Sequence, residues 1–367
     1  MFNQKTTDFC NRLNIRLPII QAPMAGGIIT PALINEVTKS GGLGSLPLGY
    51  LSIAEAQEAI CKTIALASKQ FAVNLFIQSP IAPPSKKQVA AMLAYVNQHR
   101  LSIGLPSLLE IPSWVEPDMD ELLDMLLKEG ISIISFTFGI LSHNKMQRLL
   151  EKDVFVMGTA TTVQEGLALE AAGCHAVIAQ GYEAGGHRGG GFVAGQSGGL
   201  IGTLALVPQM VDALHIPVIA SGGIMDGRGI AAALALGASA VQMGTAFLTC
   251  EESHASSLHK HMIMDNPAES TCLTSIFTGK PVRGFKNELV TMTEKNFSED
   301  DLLPYPLQHQ LTKELRSSAN KLGHLEYAGL WSGQGTRLSR SIAVEHLMAI
   351  LEKETVVVLS QFKNNLR

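Results

Sequence analysis

Charge is scarce in this sequence: Asp, Glu, Lys and Arg make up 16% of it, against about 25% in ordinary soluble proteins. The charges nearly cancel, with 28 basic against 32 acidic residues and a net of −4. The basic surplus that favours binding to a phosphate backbone is missing, so no nucleic acid is expected as a partner. Cysteine is sparse as well. Cys10, Cys61, Cys174, Cys250 and Cys272 are scattered, odd in number and contain no Cys-x-x-Cys pair, which points to reduced thiols rather than a disulfide framework. No apolar run reaches the ~20 residues that cross a bilayer without a charge or a Gly/Pro break, so no membrane association is expected. Residues 1–14 carry Lys5, Asp8 and Arg12 and lack the apolar core of a signal peptide, and the expected location is the cytoplasm. His254, His259 and His261 lie near Cys250 and Cys272 but match neither HExxH nor Cys-x-x-Cys spacing. A polar helix surface accounts for them, and no metal is expected.

What the sequence has in quantity is apolar residues and glycine, 46% hydrophobic with 34 glycines in 367 residues. That length suits one large domain with insertions or two ordinary ones. Short apolar runs alternate with amphipathic stretches, the signature of a parallel sheet with crossover helices. Strands are expected at 18–21, 44–46, 72–75, 131–135, 154–157, 176–179, 217–220 and 240–243. Helices are expected at 31–40, 52–67, 119–129, 143–151, 162–172, 203–213 and 227–236. Eight such units predict an α/β fold, a TIM (β/α)8 barrel over residues 1–250. The proline-rich stretch 78–118 reads as an insertion with its own helix at 85–99. Residues 251–340 lose the rhythm and read as a smaller, mostly helical domain that covers the substrate. Residues 341–367 then supply a final helix, over 341–351, and a tail that packs on the barrel.

Barrel enzymes place their chemistry on the loops that follow the strands. After the first strand come Ala22, Pro23, Met24 and Gly26, small or flexible enough for a flat ring to approach the backbone. Ser221, Gly222 and Gly223 follow the seventh strand, with Asp226 opening the next helix, and Gln242, Met243, Gly244 and Thr245 close the eighth. Glycine-freed amides and a hydroxyl at that place form the common phosphate site of this barrel. After the sixth strand, Gln180 leads into a glycine-rich loop with Gly185, Gly186, His187 and Arg188. Flanking glycines leave His187 unshielded, and imidazole exchanges protons near neutral pH. Arg188 is suited to holding an anionic substrate.

These stretches together resemble the FMN-dependent nitronate monooxygenases. The likeness rests on QAPMAGG, TPALINEVTKSGGLGSL, VNLF, SFTFG at 135–139, GYEAGGHRGGG, SGGI and VQMGTAF, in order from Gln21 to Phe247. PYPLQ and LWSGQG, the latter at 330–335, extend it into the C-terminal part. The resemblance implies FMN across the barrel mouth, with Met24 and Gly26 near the ring, Asn74 and Gln180 bonding ring or ribityl oxygens, and Gly185 beside them. The phosphate would fall on Gly222, Gly223, Gly244 and Thr245, and His187 would be the active-site histidine. The implied reaction oxidises a small anionic nitronate, such as propionate 3-nitronate, with O2 to a carbonyl compound and nitrite or nitrate, and a homodimer is compatible with it. Two positions depart from the family pattern: Thr137, where some members carry histidine, and His309, where tyrosine stands. Tyr305, His309 and Lys313 are spaced i, i+4, i+8 and share a face if that segment is helical, as a substrate wall or as a solvated surface.

Other readings are narrower. Gly195-Gln196-Ser197-Gly198-Gly199 fits G-x-S-x-G of serine hydrolases, but the strand and helix that must flank the nucleophile are lacking. Flavin-dependent enoyl-acyl-carrier-protein reductases and NAD(P)H:quinone reductases share QxPM, GGLG and EAGGH; SFTFG, the arginine of GGHRG and LWSGQG favour the monooxygenase.

Overall fold

Strands buried on both faces read as unbroken apolar runs, and the barrel is built from such runs. The computed structural model describes residues 2–67, 69–77, 81–193 and 199–365. In chain order its strands are β1 Ile19–Gln21, β2 Gly44–Pro47, β3 Phe71–Phe76, β4 Ile133–Thr137, β5 Phe155–Ala160, β6 Ala176–Gln180, β7 Gly186–His187, β8 Val218–Ser221, β9 Ala240–Met243, β10 Thr271–Thr274 and β11 Val282–Phe285. Helices before the first insertion are α1 Gln4–Leu13, α2 Pro31–Lys39 and α3 Ile53–Ala67, followed by α4 Lys86–Ser102 and α5 Met119–Glu129. Then come α6 His143–Leu150, α7 Val163–Ala171, α8 Thr203–Ala213, α9 Gly227–Ala235 and α10 Thr245–Leu248. The C-terminal part holds α11 Ser257–Asp265, α12 Glu288–Asn296, α13 Leu307–Leu322 and α14 Val344–Asn365.

Eight strands pair in parallel in the order β1-β9-β8-β6-β5-β4-β3-β2. The Ile20–Leu43 bridge brings β1 to β2, with Leu43 N–H donating to the Ile19 carbonyl at 3.0 Å. The fold is a TIM barrel, as the eight-unit count predicts. Local chemistry sets the helix starts: Thr162 and Glu165 form a capping box on α7, and Asp226 accepts from the Arg228 and Gly229 amides on α9. Inside the barrel, Ile20, Leu43, Ala72, Ile133, Met157, Ile178 and Ile219 pack with Phe9 and Leu13 of α1, which plugs one end. The opposite end, where the strands finish, stays open.

Three features of the fold were not in the sequence pattern. His187 and Gly186 form a short strand, β7, that pairs with β11 and through it with β10. Residues 251–340 thus contribute strands as well as helices. Helix α4 of the insertion shares an apolar core with that part, Met92 and Val96 meeting Phe277, Leu311 and Leu315. Finally, the expected helix at 341–351 continues through the apolar 356–359 stretch as one helix, α14, which packs on α9 and α2. Tertiary contact there outweighs the weak helix preference of the valines. No helix among the described residues is long and apolar enough to cross a membrane.

Candidate active site

At the open end of the barrel lies a cavity, lined jointly by the barrel and the C-terminal part. Ala22, Pro23, Met24, Asn74, Thr137, Gln180, Ser221, Gln242 and Met243 line it from the ends of the barrel strands. Trp331, Ser332 and Gly333 line it from the C-terminal part. Those residues are seated closely. A Cβ on Gly185 would stand 2.4 Å from the Gly333 nitrogen, and Gly333 N–H donates to the Thr245 hydroxyl at 2.9 Å.

Gly222, Gly223, Gly244 and Thr245 all line the cavity. Gly222 and Gly223 have φ of +118° and +71°, a region that side chains rarely adopt. Among the described residues no protein acceptor takes the N–H groups of Gly222, Gly223, Gly244 or Thr245. Because the Thr245 hydroxyl accepts from Gly333, its own proton remains available. Four amides and a hydroxyl facing one cavity fit an anion such as a phosphate monoester.

The cavity wall also holds His187. Its ring sits edge-on to Phe76, Phe138 and Tyr305, with centroids 6.5, 5.4 and 6.0 Å away, and its Nε2 lies 3.0 Å from the Thr278 hydroxyl. Burial, followed by the charges of Arg316 and Lys280, pushes its pKa down to about 3, so the imidazole is neutral at physiological pH. The expectation of an unshielded histidine is corrected: the glycines leave room on the backbone, but aromatic rings enclose the side chain. The Lys280 ammonium lies 4.9 Å from the Phe138 ring centroid, and burial lowers its pKa.

Several expected site residues are placed otherwise. Arg188 does not line the cavity; it is buried and bonds the carbonyls of Gly181 and Gly199, so its fork holds backbone rather than substrate. Gly26 is exposed and stands outside the lining, although Ala25 and Ile28 of the same turn belong to it. Gln180 lines the cavity, but its Nε2 donates to the His187 carbonyl at 2.9 Å and its Oε1 accepts from Gly189 N–H at 2.8 Å. Much of its bonding capacity is spent on holding the loop. Asn74 donates to the Ser135 hydroxyl at 3.0 Å. Tyr305 precedes α13 instead of sharing its face, because the helix begins only at Leu307. Tyr305 and His309 are buried behind Tyr50 and His187, whereas Lys313 is exposed and away from the cavity. His259 is buried, not on a polar surface, and its Nε2 meets the Trp331 carbonyl at 2.7 Å. Among the described residues no three His, Cys, Asp or Glu side chains cluster as metal ligands would. Ser197 and its neighbours 194–198 lie outside the described residues.

The model of the nitronate monooxygenase family matches residues 9–354. The chain belongs to this family. A probable nitronate monooxygenase of Staphylococcus saprophyticus is 43% identical over 347 residues, 94% of this chain and 95% of that one. Its counterpart in Staphylococcus haemolyticus is 42% identical, covering 95% and 96%. Among solved structures, nitroalkane oxidase from Streptomyces ansochromogenes is similar with a TM-score of 0.88 and 35% identity, over 97% of this chain and 99% of that one. FabK from Thermotoga maritima is similar with a TM-score of 0.75 and 27% identity over the full length of both. Membership of the nitronate monooxygenase family makes this chain an oxidoreductase. Sequence reasoning missed Tyr50, Phe76, Thr278, Lys280 and Arg316 around His187. Only the tract Thr278-Gly279-Lys280-Pro281, a turn ahead of a strand, carried a local signal.

Proposed function

We propose that this protein is an FMN-dependent nitronate monooxygenase that oxidises small alkyl nitronates, of the propionate 3-nitronate kind, with O2 to a carbonyl compound and nitrite or nitrate. The observation that carries this reading is one cavity with unsatisfied glycine amides and a neutral, enclosed histidine in its wall. The amides of Gly222, Gly223, Gly244 and Thr245 suit a single phosphate. No dinucleotide fingerprint accompanies them, which favours FMN over FAD. Met24 and Asn74 would border the ring, with Gln180 contributing what its loop contacts leave free. When bound, the flavin would supply the electron acceptor and the chemistry with oxygen.

The chain's own residues bind, orient and handle the proton. A nitronate already carries the electron pair on carbon and needs no base. For a neutral nitroalkane, neutral His187 accepts the α-proton: the C–H bond breaks and its pair remains on the substrate as the nitronate. Its low basicity is offset as that anion forms nearby, since a neighbouring negative charge favours imidazolium. Phe76, Tyr50 and Trp331 restrict water around this step.

The cofactor assignment is tested by heating the purified protein and identifying the released chromophore by mass. FMN is expected; FAD, or a colourless protein that does not bind added FMN, would overturn it. NADH oxidation without nitronate activity would favour the reductase reading.

A further inference from the structure

The hydrogen bond behind His187 decides which of its nitrogens can act. Thr278 is fully buried, and its hydroxyl meets three groups: His187 Nε2 at 3.0 Å, the Lys280 carbonyl at 3.0 Å and the Lys280 N–H at 3.4 Å. A hydroxyl has one proton to give. The carbonyl can only accept, so the proton goes to Lys280 and the oxygen accepts from His187 and from the amide. All three contacts are made only if His187 carries its proton on Nε2. The other tautomer would draw the hydroxyl proton away from the Lys280 carbonyl and forfeit a buried hydrogen bond.

Nδ1 is left with no described partner, yet it is not among the polar atoms sealed away from solvent. The ring lines the cavity, so the Nδ1 lone pair opens there. Backbone pairing fixes the arrangement from both sides: Val282 is in register with His187, Arg188 N–H donates to the Pro281 carbonyl at 2.9 Å, and Gln180 holds the His187 carbonyl.

We propose that Thr278 is a positioning residue that holds His187 as the Nε2–H tautomer and presents Nδ1 to the cavity as the acceptor for the α-proton of a neutral nitroalkane. This rests on the nitronate-oxidising reading above and deepens it, because the Thr278 contact then governs how far the neutral acid is used relative to its anion. In the step, the C–H bond breaks, the proton passes to Nδ1, and the electron pair stays on the nitronate. The imidazolium keeps its Nε2–H bond to Thr278 throughout, so no reorganisation is needed.

Two measurements on the flavin-loaded protein test it. The first compares nitroethane with preformed ethyl nitronate by oxygen consumption, for wild type, Thr278→Val and Thr278→Ser. Thr278→Val should lower the neutral-to-anion ratio of kcat/KM by roughly 10²- to 10³-fold, within the range that a misplaced acid or base costs. Thr278→Ser should restore most of it. A ratio that valine leaves unchanged, or that serine fails to restore, would overturn the proposal. The second records 15N NMR of His187 in wild type at neutral pH, assigned by loss of the signal in His187→Gln. A protonated Nε2 is expected, and a protonated Nδ1 would overturn the proposal whether or not the valine variant folds. Wild type that consumes oxygen with neither substrate would sink the functional reading, while the NMR result would still decide the tautomer.

Discussion

The imidazole of His309 lies flat on the phenol ring of Tyr50, with centroids 4.5 Å apart and planes 11° from parallel. The stack keys α13, far along the chain, to the loop that follows barrel strand β2. Arg316, two turns further along α13, brings its Nη2 to 3.2 Å from His309 Nδ1 and its Nε to 3.0 Å from the Thr312 hydroxyl. His309→Ala removes the stack and one side of the arginine's support, and should cost about 1–3 kcal/mol in denaturant unfolding. His309→Phe, which keeps a flat ring on Tyr50, should cost less than alanine.

Stability should also respond to mild acid. Burial first, then nearby positive charge, lowers His187 to about 3 and His309 to about 2 from an ordinary 6.5; Arg316 acts on both, with Lys280 on His187 and Lys313 on His309. Between those values and 6.5 the unfolded chain binds protons that the native state refuses. The stability contribution is therefore complete above about pH 6.5 and declines as pH falls toward 3. The window from pH 6.5 to 5 isolates histidines, because carboxylates begin to titrate only lower. Unfolding free energy followed across it should fall in wild type and fall less in His309→Phe; equal slopes would contradict the shift at His309.

How much of this was legible in the sequence follows physical lines. All eight barrel strands were, because parallel strands covered on both faces show as apolar runs whatever surrounds them. That Gly222, Gly223 and Gly244 line the cavity was legible because they directly follow barrel strands β8 and β9. Arg188 was misread because a guanidinium's partners, here the Gly181 and Gly199 carbonyls, are set by a loop's path and leave no pattern in sequence. Thr278 was invisible for a similar reason. It lies 91 positions from His187, and only the pairing of β7 with β11 joins them. Tyr305 looked like part of a helix face because spacing alone cannot show where α13 begins.

Gly222 and Gly244 serve different purposes as probes of the anion cradle. A side chain at Gly222 meets both a positive φ and the Thr203 hydroxyl 2.9 Å from the new Cβ, so Gly222→Val should lower stability as well as cofactor affinity. A Cβ at Gly244 meets only ordinary contacts, Ala22 at 3.6 Å and Met24 at 3.7 Å. Gly244→Val should therefore keep the melting temperature near wild type and weaken FMN binding at least tenfold by titration, about 1.4 kcal/mol. Wild-type affinity in that variant would place the phosphate elsewhere.

Arg188→Met should behave as a structural lesion. It strands the Gly199 carbonyl and leaves Gly181 with the Ala184 amide alone; an orphaned buried carbonyl costs about 1–3 kcal/mol, and unfolding should shift accordingly. Loss of a charged substrate anchor would instead raise KM roughly 10- to 100-fold at unchanged stability, and that outcome would restore Arg188 to the binding site.

The most direct measurement is oxygen consumption by the purified, FMN-loaded protein with propionate 3-nitronate and with nitroethane, beside its rate of NADH oxidation. Wild type should turn over the nitronate faster than it oxidises NADH. His187→Ala should retain FMN yet lose roughly 10²- to 10⁴-fold on the neutral nitroalkane, the span of a lost general base. Rapid NADH oxidation with no nitronate turnover would contradict the assigned reaction, and undiminished nitroethane turnover in the alanine variant would contradict the role of His187.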